Sequence, residues 1–186
     1  MTAGLVLAAG AGTRFGATKQ LARLRGRPLL EYAVESMLAV PALDPVLVVL
    51  GHAADEILRT AELGDAEVVV CREWERGQSA SLQCGISALR DAGTVVVTLG
   101  DQPFITPQVI AGALDHLEGY DAVRTVYGGT PGHPVVLGPR VLAAAGELAG
   151  DQGARDLLSR FNVKRWEAGH LCSAVDVDTQ EELSRL

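Results

Sequence analysis

Four short apolar runs, rich in valine and not alternating with polar residues, constrain this chain more than any other feature. They cover residues 3–8, 45–50, 67–71 and 94–99. A strand buried on both faces reads this way, because neither side of its pleat needs polar residues. The stretches between them have helical spacing, over residues 28–40, 53–63 and 79–92. In the first of these, Leu29, Leu30, Ala33, Val34, Met37 and Leu38 form one apolar stripe. Strands joined by helices make right-handed crossovers. The pattern therefore predicts an α/β fold: a Rossmann-like, doubly wound, mostly parallel sheet with helices on both faces.

The second half is less regular. Residues 106–117 read as a helix, with Pro107 suited to its first turn. Strands are expected at 121–127 and 134–137 around a glycine-rich turn, 128–132, which suits antiparallel pairing. Helices follow at 139–148 and 154–161, then a strand at 174–177 and a last helix from Thr179. No linker or internal repeat interrupts the 186 residues, so residues 1–186 read as one domain.

The formal charge of −7 argues against a nucleic-acid surface, which needs clustered Lys and Arg. Three cysteines, Cys71, Cys84 and Cys172, stand far apart and form no C-x-x-C pair. A zinc site or disulfide framework is not expected, and reduced thiols in a cytoplasmic protein are. The apolar start lacks a positive leader and reads as a strand rather than a signal peptide. No run approaches the roughly 18 apolar residues that span a bilayer, so no membrane partner is expected.

The loop after the first strand carries chemistry. Gly10, Gly12 and Gly16 let the backbone turn tightly, and successive N–H groups in such a loop can bind an anion. Arg14 and Lys19 add a planar fork and a point charge. The dinucleotide fingerprint G-x-G-x-x-G fails, because Phe15 holds the third glycine position. The Walker motif fails too, since no glycine precedes Lys and then Ser or Thr. A polyphosphate site and an ordinary strand-to-helix turn both remain open at this point.

Asp101 follows the strand at 94–99 directly, which places it at the carboxyl edge of the sheet, where the glycine loop also opens. A carboxylate beside a triphosphate suits Mg²⁺, which takes one or two carboxylates plus phosphate oxygens. The alternative is a cap for the helix near Thr106. Asp176 and Asp178 would share one side of a strand and repel unless a cation lies between them. Asp178 or Thr179 could instead cap the last helix, with Glu181 or Glu182 completing a capping box. Ser79 and Ser81 fit either an N-cap or a helix N-terminus that meets a ligand. His133 in Gly132-His133-Pro134 reads as a substrate contact or a turn hydrogen bond. Asp151 reads as an N-cap or a substrate contact, and Arg155 as an acceptor contact or a solvated cation.

Taken in order, these pieces resemble a family. Leu7-Ala8-Ala9-Gly10-x-Gly12-x-Arg14-x-Gly16-x-x-Lys19 comes first, then Gly77-x-x-x-Ser81-Leu82-x-x-Gly85. Gly100-Asp101-Gln102-Pro103, Gly132-His133-Pro134 and Asp176-Val177-Asp178-Thr179 follow. The set resembles the molybdenum cofactor nucleotidyltransferases, and Leu-Ala-Ala-Gly resembles their cytidylyl branch. The resemblance implies a fold of the nucleotide-diphospho-sugar transferase type. It implies transfer of CMP from CTP to molybdopterin cofactor, with Mg²⁺ and release of pyrophosphate. Leu7, Ala8, Ala9, Gly10, Gly12, Arg14, Lys19 and Ser81 would hold the nucleotide. Arg14, Lys19 and Asp101 would carry catalysis, and Asp101, Asp178 and Asp176 the metal. Gly132, His133 and Asp151 would meet the acceptor, and a molybdenum hydroxylase would receive the product. Transfer to another phosphorylated acceptor, such as a sugar phosphate or phospholactate, is the nearest rival, with guanylyl transfer beside it. A carrier that binds molybdopterin without turnover has no need of a triphosphate site.

Overall fold

The computed structural model describes residues 1–13, 15–147, 157–172 and 176–186. Its strands are β1 (Thr2–Ala8), β2 (Arg23–Leu24), β3 (Arg27–Pro28), β4 (Val46–Leu50), β5 (Glu67–Val70), β6 (Thr94–Leu99), β7 (Ala122–Tyr127), β8 (Thr130–Leu137) and β9 (Val163–Glu167). Its helices include α1 (Leu29–Leu38), α2 (Ala54–Thr60), α3 (Gln78–Ala88), α4 (Pro107–Asp115), α5 (Pro139–Ala144) and a C-terminal helix, Gln180–Ser184. Among the described residues one sheet has seven strands, in the order β5-β4-β1-β6-β8-β7-β9. β1 is parallel to β4 and β6, and β4 to β5. β8 runs antiparallel to β6 and β7, and β9 is parallel to β7.

Helices cover both faces of the central strands, as three of the valine-rich runs require; the fourth, β5, is instead an edge strand with Val68 and Val70 exposed. On one face, Val6, Val48, Val96, Val123 and Val136 share a core with Leu30, Val34 and Met37 of α1 and Ile110 of α4. On the other, Leu5, Val49, Val97, Val135 and Leu137 pack with Leu82 of α3, Val141 of α5 and Leu157. Each fully buried Leu, Ile or Val contributes roughly 1.5–3 kcal/mol by leaving water. The central strands therefore anchor the loops that leave their carboxyl ends.

Four features depart from the expected layout. β9 was not foreseen: Val-Lys-Arg-Trp-Glu, at the edge of the sheet, has only two apolar residues, Val163 and Trp166, and they make neither an apolar run nor an alternation. The small hairpin of β2 and β3 lies outside the main sheet. The expected turn over 128–132 shrinks to Gly128-Gly129, because Thr130 already pairs with Tyr127. Asp176 and Val177 are not in a strand; the Val177 N–H instead donates to the Asp101 carbonyl at 3.2 Å. The rest of that expected strand, and residues 148 and 154–156 of two expected helices, lie outside the described residues.

α3 approaches the sheet through Gly85. A Cβ there would lie 2.6 Å from Leu5 Cδ1 and 2.9 Å from Val49 Cγ2. Leu5 and Val49 are fully buried and have no room to retreat. Gly85→Ala gains up to about 1 kcal/mol of helix propensity but overpacks this contact at a cost of about 1–3 kcal/mol. The expected outcome is a lower urea midpoint at unchanged slope. An unchanged or raised midpoint would show that the close approach is not limiting.

Candidate functional site

β1 ends at Ala8, and the glycine loop opens directly beyond it. The loop is braced from behind: the Gln20 side-chain amide donates to the carbonyls of Ala8, at 2.9 Å, and Gly10, at 2.8 Å. At Gly12 the backbone has φ +58°, and a Cβ would stand 2.9 Å from Lys19 Cβ. Glycine thus serves twice there, by allowing the conformation and by letting the loop lie against Lys19.

Lys19 begins a 3-10 turn, Lys19–Leu21, and is buried. Its Nζ lies 2.6 Å from Asp101 Oδ2 and 2.7 Å from Asp178 Oδ1. Burial alone would depress the ammonium's pKa. The hydrogen bonds and charges of Asp101 and Asp178 outweigh that and raise it above the ordinary lysine value. Parallel pairing of β1 with β6 brings Asp101 and the loop to one edge across the whole first half of the chain.

The capping alternatives resolve against the aspartates. α4 is capped by Thr106, whose Oγ1 accepts from the Val109 N–H at 3.4 Å, with Pro107 in its first turn. The C-terminal helix is capped by Thr179 in a capping box with Glu182. Glu182 also accepts from the Asp178 N–H at 2.8 Å. Val177 is buried with Phe15, Leu24 and Leu29, and the Gln180 amide donates to the Phe15 carbonyl at 3.2 Å. These contacts tie the end of the chain to its first loop and aim Asp178 at Lys19.

A cleft of about 430 Å³ opens here, lined by Leu7, Ala8, Ala9, Gly10, Gly12, Lys19, Ser81, Asp101 and Asp178 among others. Ligand sites of roughly 300–1,000 Å³ are usual. Trp74 and Gln78 form the far wall. The Trp74 ring is held edge-on against His52, with centroids 5.2 Å apart. α3 begins beside it with Gly77 as N-cap and no side-chain cap, so Ser79 and Ser81 lie inside the helix rather than capping it. Its N-terminal residues Gly77 and Gln78 line the cleft, and the end of a helix dipole there favours an anion.

Other expected residues stand apart. Gly132 and His133 belong to β8, not to a loop, and do not line the cleft. The His133 carbonyl accepts from Tyr127 Oη at 2.5 Å. Burial of the ring, with the Arg124 guanidinium adding to it, pushes the His133 imidazole down to about 3, so the ring is neutral at physiological pH. Asp176 does not line the cleft; its Oδ1 accepts from the Gln102 amide at 2.5 Å. Burial, reinforced by the charges of Asp101 and Asp178, holds its carboxyl above the usual carboxylate range. Arg14, Asp151 and Arg155 lie outside the described residues. Sequence reasoning gave no role to Gln20, or to Gln102 although it stands in the Gly100-Asp101-Gln102-Pro103 motif, because both act through hydrogen bonds to groups that only the fold brings near.

The donor set suits a divalent cation only in part. Among the described residues no three Asp, Glu, His or Cys side chains converge to hold a metal. Two carboxylates do converge, and Asp101 Oδ1 is buried with no hydrogen-bond partner. Such an orphaned oxygen calls for a cation or a water. Two carboxylates completed by phosphate oxygens match the manner in which Mg²⁺ binds with nucleotides.

Comparisons with known proteins agree with this geometry. Residues 4–166 match the family model of the MobA-like NTP transferase domain. A protein from Paenarthrobacter nicotinovorans named nicotine blue oxidoreductase is 33% identical, over 98% of this chain and 95% of that one. The crystal structure of an Rv0371c homolog from mycobacterium sp. strain JC1 superposes with a TM-score of 0.86 at 31% identity, covering 99% of this chain and 93% of that one. Rv0371c of Mycobacterium tuberculosis, in complex with manganese, gives a TM-score of 0.84 at 27% identity, covering 100% and 97%. A doubly wound sheet, a braced glycine loop and a matching family model together place this chain in the MobA-like NTP transferase family, as a nucleotidyltransferase.

Proposed function

We propose that this enzyme moves CMP from CTP to the terminal phosphate of molybdopterin cofactor, forming the cytosine dinucleotide and pyrophosphate. The observation that carries the reading is the Lys19 ammonium held between Asp101 and Asp178 at the mouth of the glycine loop. The Leu7-Ala8-Ala9-Gly10 loop supports the cytidylyl branch, since the Ala9 methyl takes room that glycine would leave for a larger base. The manganese complex of Rv0371c supports a divalent cation, for which we propose Mg²⁺.

The chemistry is a displacement at the α-phosphorus. An oxygen of the acceptor phosphate forms the new P–O bond, the bond to the β-phosphate bridge breaks, and pyrophosphate leaves with its electron pair. No protein nucleophile is needed; positioning and charge neutralisation do the work. The loop N–H groups from Gly10 to Gly12 hold phosphate oxygens. Lys19 moves its charge from the carboxylates toward the leaving pyrophosphate. Asp101 and Asp178, so released, would ligate the cation, which supplies charge neutralisation on the phosphates when bound. Asp176, anchored by Gln102, keeps the Asp178 segment in place. Arg14 is proposed to assist at the phosphates, and Gly132, His133 and Asp151 to face the acceptor. A molybdenum hydroxylase is the proposed recipient of the product.

The full-length likeness to a protein named nicotine blue oxidoreductase favours a second reading, a redox step. Phe15 argues against a dinucleotide loop here, because its side chain is buried in a small core with Leu24, Leu29 and Val177. Incubation with CTP or GTP, Mg²⁺ and molybdenum cofactor should yield the cytosine dinucleotide by mass, with higher kcat/KM for CTP. A preference for GTP would move the enzyme to guanylyl transfer. Oxidation of NADH or NADPH without pyrophosphate release would establish the redox reading instead.

Asp101→Asn keeps size and removes charge. Transfer should fall on the order of 10²-fold or more, with the thermal transition retained. Near-normal turnover at saturating Mg²⁺ would remove Asp101 from the metal site. Lys19→Ala should lower kcat more than it raises KM, because the ammonium matters most as charge builds on the leaving group. Lys19→Arg should rescue poorly, since the planar fork differs from the ammonium in shape and reach. Wild-type rates in either variant would contradict the role given to Lys19.

A further inference from the structure

The loop after β4 joins two walls of the cleft. β4 ends at Leu50, and Gly51, His52 and Ala53 follow. The His52 N–H donates to the Ala9 carbonyl at 3.0 Å. Gln20 already holds the carbonyls of Ala8 and Gly10, so three successive carbonyls of the first loop are engaged. Gly51 lies between the walls. A Cβ there would stand 2.7 Å from the Ala9 oxygen, 2.6 Å from Trp74 Cβ and 2.7 Å from Trp74 Cγ. Only a residue without a side chain lets Ala9 and Trp74 come this close. The exposed His52 then meets the Trp74 ring edge-on, with planes 65° apart. Ala53 takes φ +55°, a left-handed conformation that an alanine adopts only when its surroundings impose it. The Trp74 backbone is tied as well. Its carbonyl accepts from the Gly77 N–H at 3.1 Å, and the Cys71 N–H donates to the Leu50 carbonyl at 2.7 Å.

We propose that Gly51 and His52 are positioning residues for the nucleotide: they fix Trp74 as the aromatic wall on which its base stacks, and so set the width of that end of the cleft. The proposal rests on the nucleotide reading of the cleft given in the preceding section. Lys19, Asp101 and Asp178 occupy the phosphate end. Ala9 and Trp74 line the same cleft. An indole takes a base by stacking, and loses less freedom on binding when its ring is already held. Neither Gly51 nor His52 is among the described residues that line the cleft, so both act through Trp74.

Binding of CTP with Mg²⁺, measured by calorimetry, tests this without an acceptor. Trp74→Ala should weaken it on the order of tenfold. Gly51→Ala should weaken it comparably, because the new methyl group forces Ala9 and Trp74 apart. That variant strains backbone as well, so the exposed His52 carries the decisive arm. His52→Ala should weaken CTP binding by about threefold to tenfold and raise KM for CTP at unchanged kcat. His52→Phe should restore both, since an edge-on ring contact needs no charge. In a Trp74→Ala background, His52→Ala should cost nothing further. Wild-type affinity in His52→Ala, failure of His52→Phe to restore it, or an equal loss without Trp74 would each overturn the proposal. Nucleotide binding that depends on His52 through Trp74, with no transfer to molybdenum cofactor, would sustain the positioning role and overturn the proposed function. Cytosine dinucleotide formed by His52→Ala with wild-type KM for CTP would do the reverse. A wild-type protein that binds neither CTP nor GTP would overturn both.

Discussion

One buried ammonium organises this molecule. Lys19 stands between Asp101 and Asp178, at 2.6 and 2.7 Å, and so joins the first loop, the middle of the sheet and the end of the chain. Breaking a buried pair of this kind by removing one partner is costly, because the remaining charge loses its counter-ion. The surrounding contacts serve that arrangement. Gln20 braces the loop against which Lys19 packs. Val177 fastens the C-terminal segment to the Asp101 backbone. The capping box of Thr179 and Glu182 then holds Asp178 in place.

The same arrangement explains why a cation should enter with the nucleotide. One ammonium between two carboxylates leaves the cluster negative by one charge. A triphosphate approaching it needs positive charge, and the ammonium is already engaged. On the proposed reading Lys19 turns to the phosphates, and both carboxylates give up its charge. Phosphate oxygens and carboxylates together then make the hard oxygen site that neither set makes alone.

Much of the scaffold was legible because buried parallel strands leave continuous valine runs. β6, Thr94–Leu99, falls where the run predicts it, and Asp101 at its end follows from the carboxyl-edge rule. β9 was invisible because each of its faces mixes apolar and charged residues, Val163 with Arg165 and Glu167 on one and Trp166 with Lys164 on the other, so no period-2 pattern appears. The glycine loop, Lys19, Ser81, Asp101 and Asp178 were legible as motif residues and meet in one cleft. Asp176 was misread as a strand partner of Asp178, because Gln102, the residue that draws it aside, is distant in sequence.

The coupling between cation and nucleotide is the central claim, and Mn²⁺ binding followed by electron paramagnetic resonance measures it directly. The free protein should bind Mn²⁺ weakly, because Lys19 holds the carboxylates. Added CTP should tighten Mn²⁺ binding on the order of tenfold or more, a coupling of ordinary size between two sites. Tight Mn²⁺ binding by the free protein, unchanged by CTP, would contradict the account.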